Sequence, residues 1–275
     1  MILDSCGLTA SAWIIDRLKP APGRAALNPE VSADALLAAL DHHRVAAAIS
    51  FSGGEGLPEP MSKALAEFRR RRVARQLALM AELSAVVQAL TAADVPVLAF
   101  KGPAVSLLLH GDAARRDSVD LDLLTAPAAW EAALETLAGL GYRPLIPALA
   151  ADRALRGGHA LALVRRGAAA SIELHDRLTP EDSPFPLSVL RPFERPAIVT
   201  IGGVAIPTLS AEAATVFAAH HGWKHLWARL HWLNDIAVAA RGDAVDWLAA
   251  DDLARRLGCR RHLALALALA AEILA

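Results

Sequence analysis

Two aspartates, Asp120 and Asp122, are set into an otherwise apolar run from Val119 to Leu124. Side chains on a strand alternate between faces, so both carboxylates share one face while Val119, Leu121 and Leu123 point the other way. Neighbouring carboxylates repel each other, and a fold gains nothing by pairing them without a cation. Oxygen-only pairs of this kind suit Mg²⁺ held together with substrate phosphates. A further acid lies downstream in Ser171-Ile172-Glu173-Leu174-His175, where polar and apolar residues alternate again. That period places Ser171, Glu173 and His175 on one sheet face. The competing account of Glu173 is an edge strand with its polar side in water.

The acid pair needs elements to hold it. Upstream, the apolar run Val95–Phe100 reads as a strand, broken by Gly102 and Pro103. Proline is tolerated in the first turn of a helix, so a helix is expected to follow. The unit is then strand, tight turn, helix, loop, strand.

In this arrangement the chain resembles the DNA polymerase β-type nucleotidyltransferase superfamily, with a glycine turn after the first strand and an Asp-x-Asp strand after the helix. More narrowly, it is similar to a bacterial branch known only as nucleotidyltransferase-like. That branch shares Lys101-Gly102, the segment Arg116 to Leu124 with Asp120 and Asp122, the segment Ile172-Glu173-Leu174-His175, and a motif running from His221 to Asp235. The four blocks stand in family order over roughly residues 60 to 240. The resemblance implies attack on the α-phosphorus of a nucleoside triphosphate (NTP) with loss of pyrophosphate, a reaction in which the protein positions the partners and neutralises charge. It implies two Mg²⁺ ions about 4 Å apart, with Mn²⁺ as a substitute. Asp120, Asp122 and Glu173 are the expected catalytic carboxylates and metal ligands.

Gly102 lets the backbone approach a phosphate at a helix N-terminus, where N–H groups attract anions. The superfamily usually has Gly-Ser or Gly-Gly here; Pro103 removes one donor, and Lys101 offers a point charge instead. Only Lys19, Lys63, Lys101 and Lys224 occur in the chain, and two of them sit inside the motif blocks. Arg116 is a further phosphate candidate, with plain solvation as its alternative. At 100° per residue, one helix through 221–235 puts Ala219, Trp223, Leu226, Leu230, Leu233 and Ala237 on an apolar face. His221, Lys224, His225, His231, Trp232 and Asp235 gather opposite. Three readings compete for that polar face: a solvated surface, a zinc pair at His221 and His225 lacking its usual glutamate, and a cleft wall bringing Lys224, His221 and His225 to the nucleotide. His175 joins the nucleotide-binding candidates.

The 275 residues carry a formal net charge of −1, which argues against a general nucleic-acid or membrane-surface binder, so no DNA partner is expected. Hydrophobic content is 55% and alanine-rich, a composition that favours helices. Cys6 and Cys259 lie far apart in sequence, so neither a disulfide nor a thiolate metal site is expected. The first residues lack a basic start followed by an apolar run, and a reduced, cytoplasmic setting is expected.

Along the chain, Trp13, Ile14 and Leu18 suggest a short helix ended at Pro20-Ala-Pro-Gly. Ser32 caps a helix running to about Ile49, Ser52 to Pro60 is a loop, and a long helix covers Ser62 to about Ala93. Arg69 to Arg72 and Arg75 read as solvated helix surface. Pro127 to Leu140 is a helix closed by Gly141, Tyr142 to Ile146 a further strand, and residues 180 to 195 are irregular. His159 to Arg165 and Ala169 to His175 form a hairpin, and Ala197 to Ile206 another about Gly202-Gly203. From Ser210 the chain is helical. The expected class is α+β: a small mixed sheet (95–207) flanked by N-terminal (1–94) and C-terminal (208–275) helical regions. The expected function is Mg²⁺-dependent nucleotidyl transfer from an NTP to a hydroxyl, phosphate or side-chain acceptor. Relatives of the similar branch occur near peptide natural-product genes, which adds a modified peptide to small molecules as acceptor. Two other readings are a non-catalytic nucleotide-binding partner of antitoxin type and transfer of a sugar in the same cleft.

Overall fold

The computed structural model describes residues 5–21, 26–49, 57–146, 159–180 and 184–275. Helix α1 spans Ser5–Leu18 and α2 spans Ala33–His43. Ser32 caps α2, its hydroxyl accepting the Ala35 N–H at 3.2 Å. The helix ends six residues short of Ile49 because Arg44 adopts a left-handed conformation, φ 53°, and its N–H turns back to the Asp41 and Leu40 carbonyls. Helix α3, Glu59–Ala92, starts earlier than expected, with Pro60 in its first turn where a missing N–H costs little. The loop expected over Ser52 to Pro60 lies largely outside the described residues. A stretch of α3 is long and apolar enough by composition to cross a membrane, yet its Leu79, Leu83, Val86 and Leu90 stripe is buried against the sheet.

Strand β1, Val97–Ala99, leads into α4, Gly102–His110, and then β2, Asp120–Thr125. A 3₁₀ turn and α5, Trp130–Gly139, follow, then β3, Arg143–Pro144, β4, Ala160–Val164, and β5, Ser171–His175. The sheet order is β1-β2-β5-β4-β3, with β2 and β5 parallel and the other pairs antiparallel. A four-residue helix α6, Leu187–Leu190, interrupts the segment expected to be irregular. Strands β6, Ala197–Ile201, and β7, Val204–Thr208, form a separate hairpin. The Thr208 hydroxyl ties it to β1 by donating to the Ala99 carbonyl at 2.6 Å. The C-terminal helices are α7, Ala211–Lys224, α8, Leu230–Arg241, α9, Trp247–Arg256, and α10, Arg260–Leu274.

Period-2 alternation sorts the sheet residues. Leu121, Leu123, Ile172 and Leu174 pack against α3 and α5. On the other face Phe100 and Leu124 enter a second core, which α1 and α2 share with the C-terminal helices.

The single helix expected across 221–235 is broken in the structure. Leu226 and Trp227 take left-handed conformations, φ 54° and 53°, and the Trp227 N–H donates to the Gly222 carbonyl at 2.9 Å. A β-carbon on Gly222 would lie 2.3 Å from the Trp227 ring, so glycine is what lets the chain fold back there. The break rotates the faces assigned from periodicity. Leu226 and Trp223 are exposed, whereas His231, Trp232 and Asp235 are buried.

Candidate active site

The parallel register of β2 and β5 sets Asp122 directly beside Glu173 and Leu124 beside His175. Carboxylate oxygens of Asp122 and Glu173 and a ring nitrogen of His175 lie within 4.8 Å of one another. The His175 Nε2 stands 3.4 Å from Asp122 Oδ1 and 3.6 Å from Glu173 Oε2. Those separations are long for hydrogen bonds, and neither buried ring nitrogen has a tight partner among the described residues. Asp120 occupies the same face two residues earlier but stands outside this close group. Lys101, the residue before α4, reaches over β2 and places Nζ 2.6 Å from Asp122 Oδ1.

Burial opposes charge on Asp122, but the Lys101 ammonium and the His175 imidazole outweigh it and hold its carboxyl well below the usual range. Asp120 moves the other way: burial, then the charges of Asp122 and Glu173, raise its proton affinity. Burial alone would lower His175, but the Asp122 and Glu173 carboxylates beside it raise it. Neighbouring carboxylates thus answer differently to one crowded, partly dry environment.

Asp120, Asp122, Glu173 and Lys101 floor a cavity of about 430 Å³, whereas His175 is buried and does not line it. Its other walls carry Arg44, Arg116 and Arg229, with His221, His225, His231 and Trp232 supplied by α7 and α8. The His225 and Trp232 rings stack at 5.3 Å, and His221 lies 4.6 Å from His225. Burial, then the charge of Lys101, pushes the His221 pKa down to about 3. Burial, then Arg116, holds His231 well below its ordinary value. The wall imidazoles are therefore neutral at neutral pH. Arg116 is not a solvated loop residue, for its Nε donates to Asp235 Oδ2 at 2.9 Å. Asp235, buried in α8, also lies 2.8 Å from His110 Nε2. Burial opposes its charge, yet Arg116 and His110 bring its pKa down to about 2.

Most of the residues singled out from sequence converge here. Gly102 stands beneath the cavity rather than on its surface, where its φ of 66° makes the turn from β1 into α4. Lys224 is exposed at the end of α7 and is not among the lining residues. His221 and His225 line the cavity, and no third metal-ligating residue joins them among the described residues. Arg44, Arg229 and Ser118 also line it without having been expected. Arg44 is itself the C-terminal cap of α2 and Arg229 precedes the start of α8, and no local period marks either.

The donor set fits a divalent cation. Asp120, Asp122 and Glu173 supply oxygens suited to Mg²⁺, the His175 nitrogens have no tight partner, and an ammonium already sits on Asp122.

No curated protein matches the chain. The solution structure of the antibiotic-resistance factor ANT(2'')-Ia is similar at 14% identity and a TM-score of 0.45, covering 73% of this chain and 98% of that one. The sequence profile described as "Uncharacterised nucleotidyltransferase" matches residues 29–275, a span that holds the sheet, the cavity floor and both helical walls. The chain belongs to this uncharacterised nucleotidyltransferase family and is an enzyme of the nucleotidyl-transferring class.

Proposed function

We propose that the cavity binds a magnesium NTP and transfers its nucleotidyl group to a hydroxyl-bearing small molecule or peptide. The observation that carries this reading is the parallel register that pairs Asp122 with Glu173, with Asp120 on the same face and cations opposite. Asp120, Asp122 and Glu173 would hold the divalent ions, which supply charge neutralisation at the transferring phosphate when bound. Lys101, Arg44, Arg116 and Arg229 compensate the remaining triphosphate charge, Arg116 in an orientation fixed by Asp235. Neutral His221 and His225 contribute hydrogen bonds and ring surface rather than charge. The acceptor oxygen forms a bond to the α-phosphorus, the bond from that phosphorus to the bridging oxygen breaks, and pyrophosphate leaves with the electron pair. The acceptor proton passes to solvent through the open side of the cleft.

The test is pyrophosphate release from each of the common ribonucleoside triphosphates, with water standing in for the acceptor, in Mg²⁺ and in EDTA. Calorimetric titration of the same nucleotides accompanies it. Wild type is expected to bind at least one magnesium NTP and to release pyrophosphate slowly. Asp122→Asn is expected to lower that rate about 10²- to 10³-fold while staying folded, as loss of a charge at a reacting centre does. Absence of nucleotide binding by wild type, or a rate indifferent to Mg²⁺ and to Asp122→Asn, would overturn the proposal.

A further inference from the structure

Away from the cleft, three side chains meet where α7 packs on α10. Cys259 immediately precedes α10 and is fully buried, His262 stands in the first turn of that helix, and the buried His220 comes from the last turns of α7. One ligand atom from each lies within 4.8 Å of the other two. The two imidazoles face each other through Nδ1 atoms 3.3 Å apart. Two nitrogens bound to one tetrahedral zinc at about 2.0–2.1 Å stand about 3.3 Å from each other. The rings are held from behind: Trp223 stacks on His262 at 4.1 Å, and Phe185 packs on His220 at 5.1 Å.

We propose that His220, Cys259 and His262 form a zinc-class metal site that clamps α7 to α10. The donor set decides the ion, since one sulfur and two imidazole nitrogens select zinc or a similar borderline metal over Mg²⁺. The fourth position belongs to water, because no fourth ligating side chain joins the group among the described residues. The bland alternative is a histidine–histidine hydrogen bond beside an inert thiol, whose Sγ lies 3.7 Å from the Leu257 carbonyl. Sequence spacing concealed the site: the two cysteines are far apart, and the partners of Cys259 are histidines, one three residues on and one 39 residues back. The clamp would act on the cleft through α7, because His221 follows His220 directly and lines the cavity. Burial pushes the Cys259 thiol up to about 11, so metal binding releases its proton to solvent as the metal–sulfur bond forms.

Cobalt(II) is the probe, added to full-length protein purified without a histidine tag. A cobalt–thiolate bond gives a charge-transfer absorption, whereas the acid face offers no sulfur, so its loading leaves that band untouched. One cobalt per chain with the band is expected, retained in Cys6→Ser and absent in Cys259→Ser. His262→Gln is expected to weaken the band-forming site more than about 100-fold, since groups that merely orient a ligand already cost 10–100-fold. Zinc is expected to bleach the band and raise the melting temperature. No band at saturating cobalt, or a band that survives Cys259→Ser, would overturn the site. Should Cys259→Ser fail to fold, an unchanged affinity in His262→Gln would overturn it as well.

Discussion

The floor and the wall of the cleft are built by opposite means. The floor is local: two short strands, each alternating, brought into parallel register so that Asp122 and Glu173 stand side by side. The wall is a tertiary product, in which α7 stops, two residues turn left-handed, and α8 departs with His231, Trp232 and Asp235 turned inward. Electrostatics divides them the same way. In the floor, burial and neighbouring charges together move Asp120 and Asp122 in opposite directions, whereas in the wall burial leads in stripping the imidazoles of charge. A site can thus have one half written in short-range pattern and the other in long-range packing.

Gly222→Ala tests the wall without touching the floor. The new methyl cannot coexist with the Trp227 ring, so the reversal between α7 and α8 must shift. Overpacking of that kind costs about 1–3 kcal/mol. Nucleotide affinity should fall at least about tenfold, or 1.4 kcal/mol, while Mn²⁺ binding to the floor is retained. Calorimetry reads both, and equal losses in both would erase the distinction between the two regions.

Histidine titration sharpens it next. Below the ordinary value of about 6.5 the unfolded chain protonates its histidines, whereas the folded wall does not, so His221 and His231 withdraw stability as pH falls from about 7 toward 5. The slope is on the order of 1.4 kcal/mol per pH unit for each ring kept neutral. His175 and Asp120 act in the other direction, because their raised folded values favour the protonated native state at low pH. Ring-proton resonances, assigned with single His→Gln variants, should show His221 neutral at about pH 5, His231 titrating below the ordinary value and His175 above it. Identical titration of the floor and wall histidines would contradict the assignment.

The smallest effect is expected at Lys224. It is exposed and off the cavity lining, so Lys224→Ala should change stability by no more than about 0.5 kcal/mol and leave nucleotide affinity unchanged. Selective weakening of Mg-ATP or Mg-GTP binding would bring the end of α7 back over the nucleotide.

The same division explains what the sequence made legible. Alternation is a short-range signal, so Leu121, Leu123, Ile172 and Leu174 could be assigned to one face and the acids to the other from pattern alone. The hairpins about Gly167 and Gly202-Gly203 were equally readable, since each pairs two periodic runs across a glycine turn. The α7–α8 break was not, because a helical period continues on paper through Leu226 and Trp227, and only the Trp227 ring lying on Gly222 defeats it. Arg44 and Arg229 carry no sequence signal for a related reason. Each sits just outside a helix, where no period aims its side chain. Arg116 stands out beside the acid strand, but the buried Asp235 that orients it lies 119 residues away.

The 2.6 Å contact between Lys101 and Asp122 has a consequence for the order of events on the proposed reading. Because an ammonium already sits on one carboxylate oxygen, a metal ion would arrive in competition with it. A bare cation would compete with the lysine for Asp122, and a bare triphosphate would meet a face of acids. If the two came together, Asp122 would be free to hold the metal while Lys101 turned to the phosphates. Coupled loading of this kind would keep the cleft electrically quiet until a complete substrate is present, and would make cation and nucleotide each appear to tighten the other's binding.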